Sequence, residues 1–188
     1  MRTVRALCLT LLLLLTPLSL LATPATATDT SVSADTTWSG AVVLTGNVTV
    51  MNGSTLTLSP GTTVDGGDGY WIRVDGTLLA SQTDFFSSQV PLTGGSHGAG
   101  LWTGIYIAAK GHAVLDEVTI QNAKTALKVE GQLSAYKITI EDAYIGVNVF
   151  GSANIESLTA QHIDYEVPQN SGNLNLSTAT FTDIARRL

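Results

Sequence analysis

The segment from Gly111 to Leu188 repeats. Cut before Gly111, Gly131, Gly151 and Gly172, it falls into four units at spacings of 20, 20 and 21 residues. A fixed period in this range marks a stacked-repeat architecture. The eighth to tenth positions of the units read Val118-Thr119-Ile120, Ile138-Thr139-Ile140, Leu158-Thr159-Ala160 and Ala179-Thr180-Phe181. Apolar, threonine, apolar is a period of two, which is strand and not helix. The twelfth position holds Asn122, Asp142, His162 and Asp183, mostly turn formers. A second apolar pair follows: Leu127 with Val129, Val147 with Val149, then Val167 alone. Each unit therefore carries about three short strands separated by tight turns. No unit has the ~10–15 residue amphipathic run that a repeat with a helix would need. The economical solution is one coil per unit, each strand pairing with its equivalent one coil later at ~4.8 Å. Ile120, Ile140, Ala160 and Phe181 should then form one buried column, with Val118, Ile138, Leu158 and Ala179 beside it.

The chain opens MRTVRALCLTLLLLLTPLSLLATPATA. Arg2 and Arg5 supply a positive end, Leu7 to Leu15 an apolar core, and Ala25-Thr26-Ala27 a small-residue cleavage site. This is the pattern of a secretory signal peptide, residues 1–27, with the cut expected after Ala27. Removing it takes away Cys8, the only cysteine, so the exported chain would have no disulfide and no thiolate ligand. It also lowers the 9 basic residues to 7 against 15 acids, for a formal charge near −8. An acidic surface argues against nucleic acid and anionic membrane as partners. Residues 28–37, rich in Thr, Ser and Asp, read as a flexible leader, and residues 38–188 as one domain.

From Trp38 the same alternation continues. Val48-Thr49-Val50, Leu56-Thr57-Leu58 and the pair Ile72 and Val74 are punctuated by Asn52-Gly53, Pro60-Gly61 and Asp75-Gly76. Ser87 to Gly100 reads as the longest loop. The order of elements over Trp38 to Ile107 resembles the N-terminal coils of secreted right-handed β-helix proteins of the pectin-lyase-like superfamily. The residues that carry the resemblance are Leu56-Thr57-Leu58, Pro60-Gly61-Thr62-Thr63-Val64, Ile72, Val74-Asp75-Gly76-Thr77-Leu78 and Trp102-Thr103-Gly104-Ile105. It implies an all-β fold: a single-stranded right-handed parallel β-helix, or β-solenoid, of about seven coils. The general hand of crossover connections agrees. The superfamily hosts lyases, hydrolases, esterases, adhesins and noncatalytic surface modules, so the resemblance implies the fold and a secreted or surface setting. None of its catalytic motifs can be placed on these residues.

Candidate chemistry is sparse. Asp142, His162 and Asp183 share the turn position and could form an acid/His/acid ladder; the expected role is a column of turn residues capping backbone N–H groups. Asp65 and Asp68, with Asp75 nearby, are the best candidates for calcium, but the motif occurs once and reads as a corner loop. Trp38, Trp71 and Trp102 could offer sugar-stacking faces, although Trp38 is expected over the first coil's core and Trp102 inside. His97 and His112 have no partners at metal-ligand spacing. Lys110, Lys124, Lys128 and Lys137 read as solvated surface. Asn47, Asn52 and Asn175 open glycosylation sequons. Thr119, Thr139, Thr159 and Thr180 should form an outward ladder. Arg186 and Arg187 would blunt the last coil, or that coil would make an end-to-end protein contact.

The expectation is thus a noncatalytic secreted or cell-surface β-helix module, with no catalytic, cofactor or metal residues assigned. It would serve as a structural spacer, adhesin part or carbohydrate-contacting surface, facing extracellular polysaccharide or cell-surface glycan. The alternatives are a small polysaccharide lyase or glycoside hydrolase and, behind it, an ice-binding protein.

Overall fold

The computed structural model describes residues 25–27, 29–89 and 101–185. Among these the chain is all-β, a parallel β-solenoid of about seven turns. Its strands are β1 (Ala25–Ala27), β2 (Thr30–Val32), β3 (Thr36–Trp38), β4 (Ala41–Leu44), β5 (Val48–Val50), β6 (Thr55–Leu58), β7 (Thr63–Asp65) and β8 (Trp71–Val74). Then come β9 (Thr77–Phe86), β10 (Gly104–Ile107), β11 (His112–Gln121), β12 (Thr125–Val129), β13 (Gln132–Val149), β14 (Ser152–Glu166), β15 (Gln169–Asn170) and β16 (Asn173–Ile184).

Every pairing is parallel and joins a strand to its equivalent one turn away, which gives the solenoid three faces. The first face runs through β3, β6 and the leading halves of β9, β11, β13, β14 and β16. The second runs through β1, β4 and β7, then the trailing parts of the same long strands. The third face runs through β2, β5, β8, β10, β12, the end of β13 and β15.

Period-two patterning decides what lies inside. Ile120 pairs with Ile140, Ile140 with Ala160 and Ala160 with Phe181; Val118, Ile138, Leu158 and Ala179 align beside them. The first three of the main column are fully buried, and each buried Ile is worth ~1.5–3 kcal/mol relative to an exposed one. Phe181 departs from expectation, being 42% exposed. It lies on β16, which pairs only with β14 among the described residues, so no further coil covers its ring.

The four glycines that set the sequence register stand at the corner between the third and first faces. There one coil's backbone presses on the coil before it. A Cβ on Gly111 would lie 1.9 Å from the Val74 carbonyl oxygen, one on Gly131 2.3 Å from that of Ala108, one on Gly151 2.2 Å from that of Glu130, and one on Gly172 2.4 Å from that of Gly151. Only a residue without a Cβ fits. The corner between the second and third faces obeys another rule. Asn122, Asp142, His162 and Asp183 all take positive φ, between 52° and 57°. These residue types pay least for the left-handed region.

Residues 28–37 are a correction. Within the expected leader, β2 pairs with β5 and β3 with β6, so the chain already winds there. Asp29 and Asp35 fasten that coil: their carboxylates accept from the N–H of Asn47 (2.5 Å) and of Thr55 (2.9 Å). In this stretch Val32 is buried while the other described positions are exposed or half-buried, too faint an alternation to read as strand. Ala25–Ala27, the end of the expected signal peptide, pairs with Val42–Leu44 of β4. The rest of that segment lies outside the described residues, as do His97, most of the long loop, and Arg186 and Arg187 with the end contact expected of them.

Candidate functional site

The third face carries the most distinctive outer surface. On β8, β10 and β12 the inward residues are Ile72 and Val74, Ile105 and Ile107, Leu127 and Val129, all buried. Alternation sends Trp71 and Arg73 outward on β8, Gly104 and Tyr106 on β10, and Lys128 on β12. Parallel register then aligns Trp71 with Gly104, and Arg73 with Tyr106 and Lys128.

Where the first pair meets, a groove of about 280 Å³ opens, lined by Trp71, Arg73, Thr103, Gly104, Ile105, Tyr106, Thr125 and Lys128. Trp71 forms one end and is 40% exposed. Gly104 forms the floor, and its φ of +108° with a virtual Cβ 1.8 Å from the Thr125 carbonyl oxygen excludes any side chain there. Thr103 and Thr125 add hydroxyls to the rim, the Thr103 hydroxyl donating to the Gly69 carbonyl at 2.7 Å.

The opposite rim is a column of interlocked side chains. The Arg73 guanidinium donates through Nε and Nη2 to the two oxygens of Asp75, each at 2.8 Å. Its Cζ lies 5.0 Å from the centre of the Tyr106 ring, and Lys128 Nζ lies 4.5 Å from it. Lys128 Nζ is also 2.8 Å from Glu130 Oε1, while the Tyr106 hydroxyl donates to Glu130 Oε2 at 2.5 Å. The ionisation of the column follows. Hydrogen bonding to Arg73 holds Asp75 below the ordinary carboxylate value, and Arg73 itself is raised by the same bond. Glu130 is lowered, first by Lys128 and then by Tyr106. Tyr106 is raised, first by burial and then by Glu130. Each cation is matched by an anion two residues along its own chain segment.

The turn column is a second candidate. His162 Nδ1 lies 3.3 Å from Asp142 Oδ1, and Nε2 lies 3.7 Å from Asp183 Oδ2. The residues are therefore both corner formers and a side-chain ladder. Beside them Tyr144 and Tyr165 stack with ring centres 5.6 Å apart.

The remaining candidates take structural positions. Asp65 accepts from the N–H of Gly67 (3.0 Å) and of Ser88 (3.2 Å), and also from the Ser88 hydroxyl, which makes it a loop brace. Asp75 belongs to the Arg73 pair, and no group of three metal-ligating side chains occurs among the described residues. Trp102 is fully buried, stacked on Phe85 at 6.3 Å, and donates its indole N–H to the Gln121 carbonyl at 2.9 Å. Trp38 packs half-buried against the core, so of the three tryptophans Trp71 alone is exposed. The Asn175 amide donates to Asn154 at 2.9 Å, and Asn47 Oδ1 accepts from the Trp71 N–H at 3.4 Å.

Sequence reasoning missed Arg73, Tyr106 and Glu130, and left Lys128 as plain surface. A signal existed: Arg73-x-Asp75 and Lys128-x-Glu130 repeat a cation and an acid two residues apart. The long loop separates them in sequence and hid their shared register. Comparison with family models, with curated proteins and with solved structures returned no match.

Proposed function

We propose that this chain is a noncatalytic β-solenoid module of the cell exterior that contacts carbohydrate through the groove on its third face. The observation that carries the reading is the half-exposed indole of Trp71 at the end of a glycine-floored groove with hydroxyls on its rim. A pyranose ring has an apolar face and a polar edge, and such a groove offers a surface for each. The apolar N-terminal segment supports export, and the buried Trp102 after the long loop supports kinship with the pectin-lyase-like superfamily. Binding of the exported chain to a glycan array tests the reading. Trp71→Ala should weaken the strongest signals while leaving the β-sheet circular dichroism spectrum unchanged. Wild-type binding to no glycan would end it.

A second reading, a small glycan-degrading enzyme, would draw its acid–base groups from His162 with Asp142 and Asp183, which lie within 3.7 Å of it. Both ring nitrogens face carboxylates, a geometry that suits a structural ladder better than a general base awaiting substrate. A degradation screen on uronate and neutral polymers separates the two. Product formation abolished by His162→Ala would favour the enzyme.

A further inference from the structure

From the pairing of its charges, we infer that the third-face groove takes a neutral, hydroxyl-bearing glycan rather than a uronate or sulfated one. The inference rests on the carbohydrate reading above and concerns which class of polymer the groove accepts. A site for an anionic polymer needs cations whose charge is not already spoken for. The two cations that line this groove are Arg73 and Lys128. Arg73 gives its planar fork to both oxygens of Asp75, the geometry in which guanidinium holds a carboxylate best. Lys128 is held by Glu130 and lies over the Tyr106 ring. A ligand carboxylate approaching either cation would meet a fixed carboxylate beside it, whose repulsion offsets the attraction of the cation.

A neutral ligand meets no such penalty. The second oxygen of Glu130 is occupied by Tyr106, so the acids too are engaged within the rim, and the column is held in one arrangement before any ligand arrives. The formal charge of the whole chain, −6, adds long-range repulsion against polyanions.

Native gel affinity electrophoresis of the exported chain tests this, with one polymer per gel: hydroxyethylcellulose and galactomannan as neutral polymers, polygalacturonate and alginate as anionic ones. The expected result is retardation by at least one neutral polymer, insensitive to added salt, and none by the anionic pair. Trp71→Ala should weaken that retardation about tenfold, the scale of a lost stacking contact. The double variant Asp75→Asn with Glu130→Gln, which frees both cations, should gain salt-sensitive retardation by polygalacturonate. Wild-type retardation by the anionic polymers that fades with salt and depends on Trp71 would overturn the neutral assignment and leave the groove as the binding surface. Retardation by no polymer, or by a neutral one with Trp71→Ala unaffected, would overturn both.

Discussion

Gly131 shows how much a single position decides. A methyl group there would press on the carbonyl oxygens of Ala108 and Gly111, both 2.3 Å from its Cβ. Neither atom can yield without parting two coils. Gly131→Ala is expected to cost on the order of 3 kcal/mol, read by urea unfolding, whereas Ser134→Ala on the outer first face should change stability by less than about 0.5 kcal/mol. Charge acts more gently. Asp75 and Glu130 sit below their ordinary values of 3.8 and 4.5. A carboxyl depressed by folding adds stability that is present above its unfolded value and lost as pH falls through its folded one. The loss should therefore begin near pH 4.5 and deepen below 3.8. Both side chains are close to a third exposed, which limits each pair to ~0.2–1 kcal/mol. Melting temperatures across this acid range should fall less for Asp75→Asn with Glu130→Gln than for the wild type. The glycine register was legible in the sequence because its cause is steric and local. The Arg73 network was not, since its members become neighbours only when coils on either side of the long loop stack.

Threonine makes the corresponding case for an element. On the second face Thr119 pairs with Thr139, Thr139 with Thr159 and Thr159 with Thr180, so the outward ladder exists as the period-two pattern requires. An ice-binding face needs a second flat column beside it. The neighbouring column is Gln121, Glu141, Gln161 and Thr182, with Gln121 donating to Glu141 at 2.6 Å. Glu117 and Lys137, 3.9 Å apart, stand on the other side. Charges of both signs disrupt an ordered hydroxyl lattice, and threonine at such positions serves strand pairing. The expected outcome is no thermal hysteresis and no inhibition of ice recrystallisation, with a loss of ~0.2–1 kcal/mol for Thr139→Ala. Recrystallisation inhibition abolished by Thr139→Lys would restore the ice-binding reading. Strands with two inward aliphatics, such as β11 to β14, were legible from sequence. β2 was not, because only Val32 of its three residues faces the core.

At the scale of the molecule, each described strand pairs with its equivalents one turn before and one turn after. The groove is a product of that stacking, since its walls come from β8, β10 and β12, three successive turns with the long loop between the first two. The two cation-x-acid pairs mark its rim in the sequence, but only the stacked register brings them to one face. Stacking also means that one turn resembles the next in what it asks of its neighbours. Residues 131–150 form such a turn. Excising them joins Glu130 to Gly151 and sets β11 against β14, with Ile120 over Ala160 and the corner glycine in place. The shortened chain should fold, with the same circular dichroism per residue, a smaller radius in solution scattering and an intact groove. Loss of cooperative unfolding in that variant would show the turns to be less interchangeable than their register implies. A molecule assembled in this way can lengthen or shorten by gaining or losing whole turns of its gene, so its reach from end to end is an inherited count, open to selection without redesign of the interior.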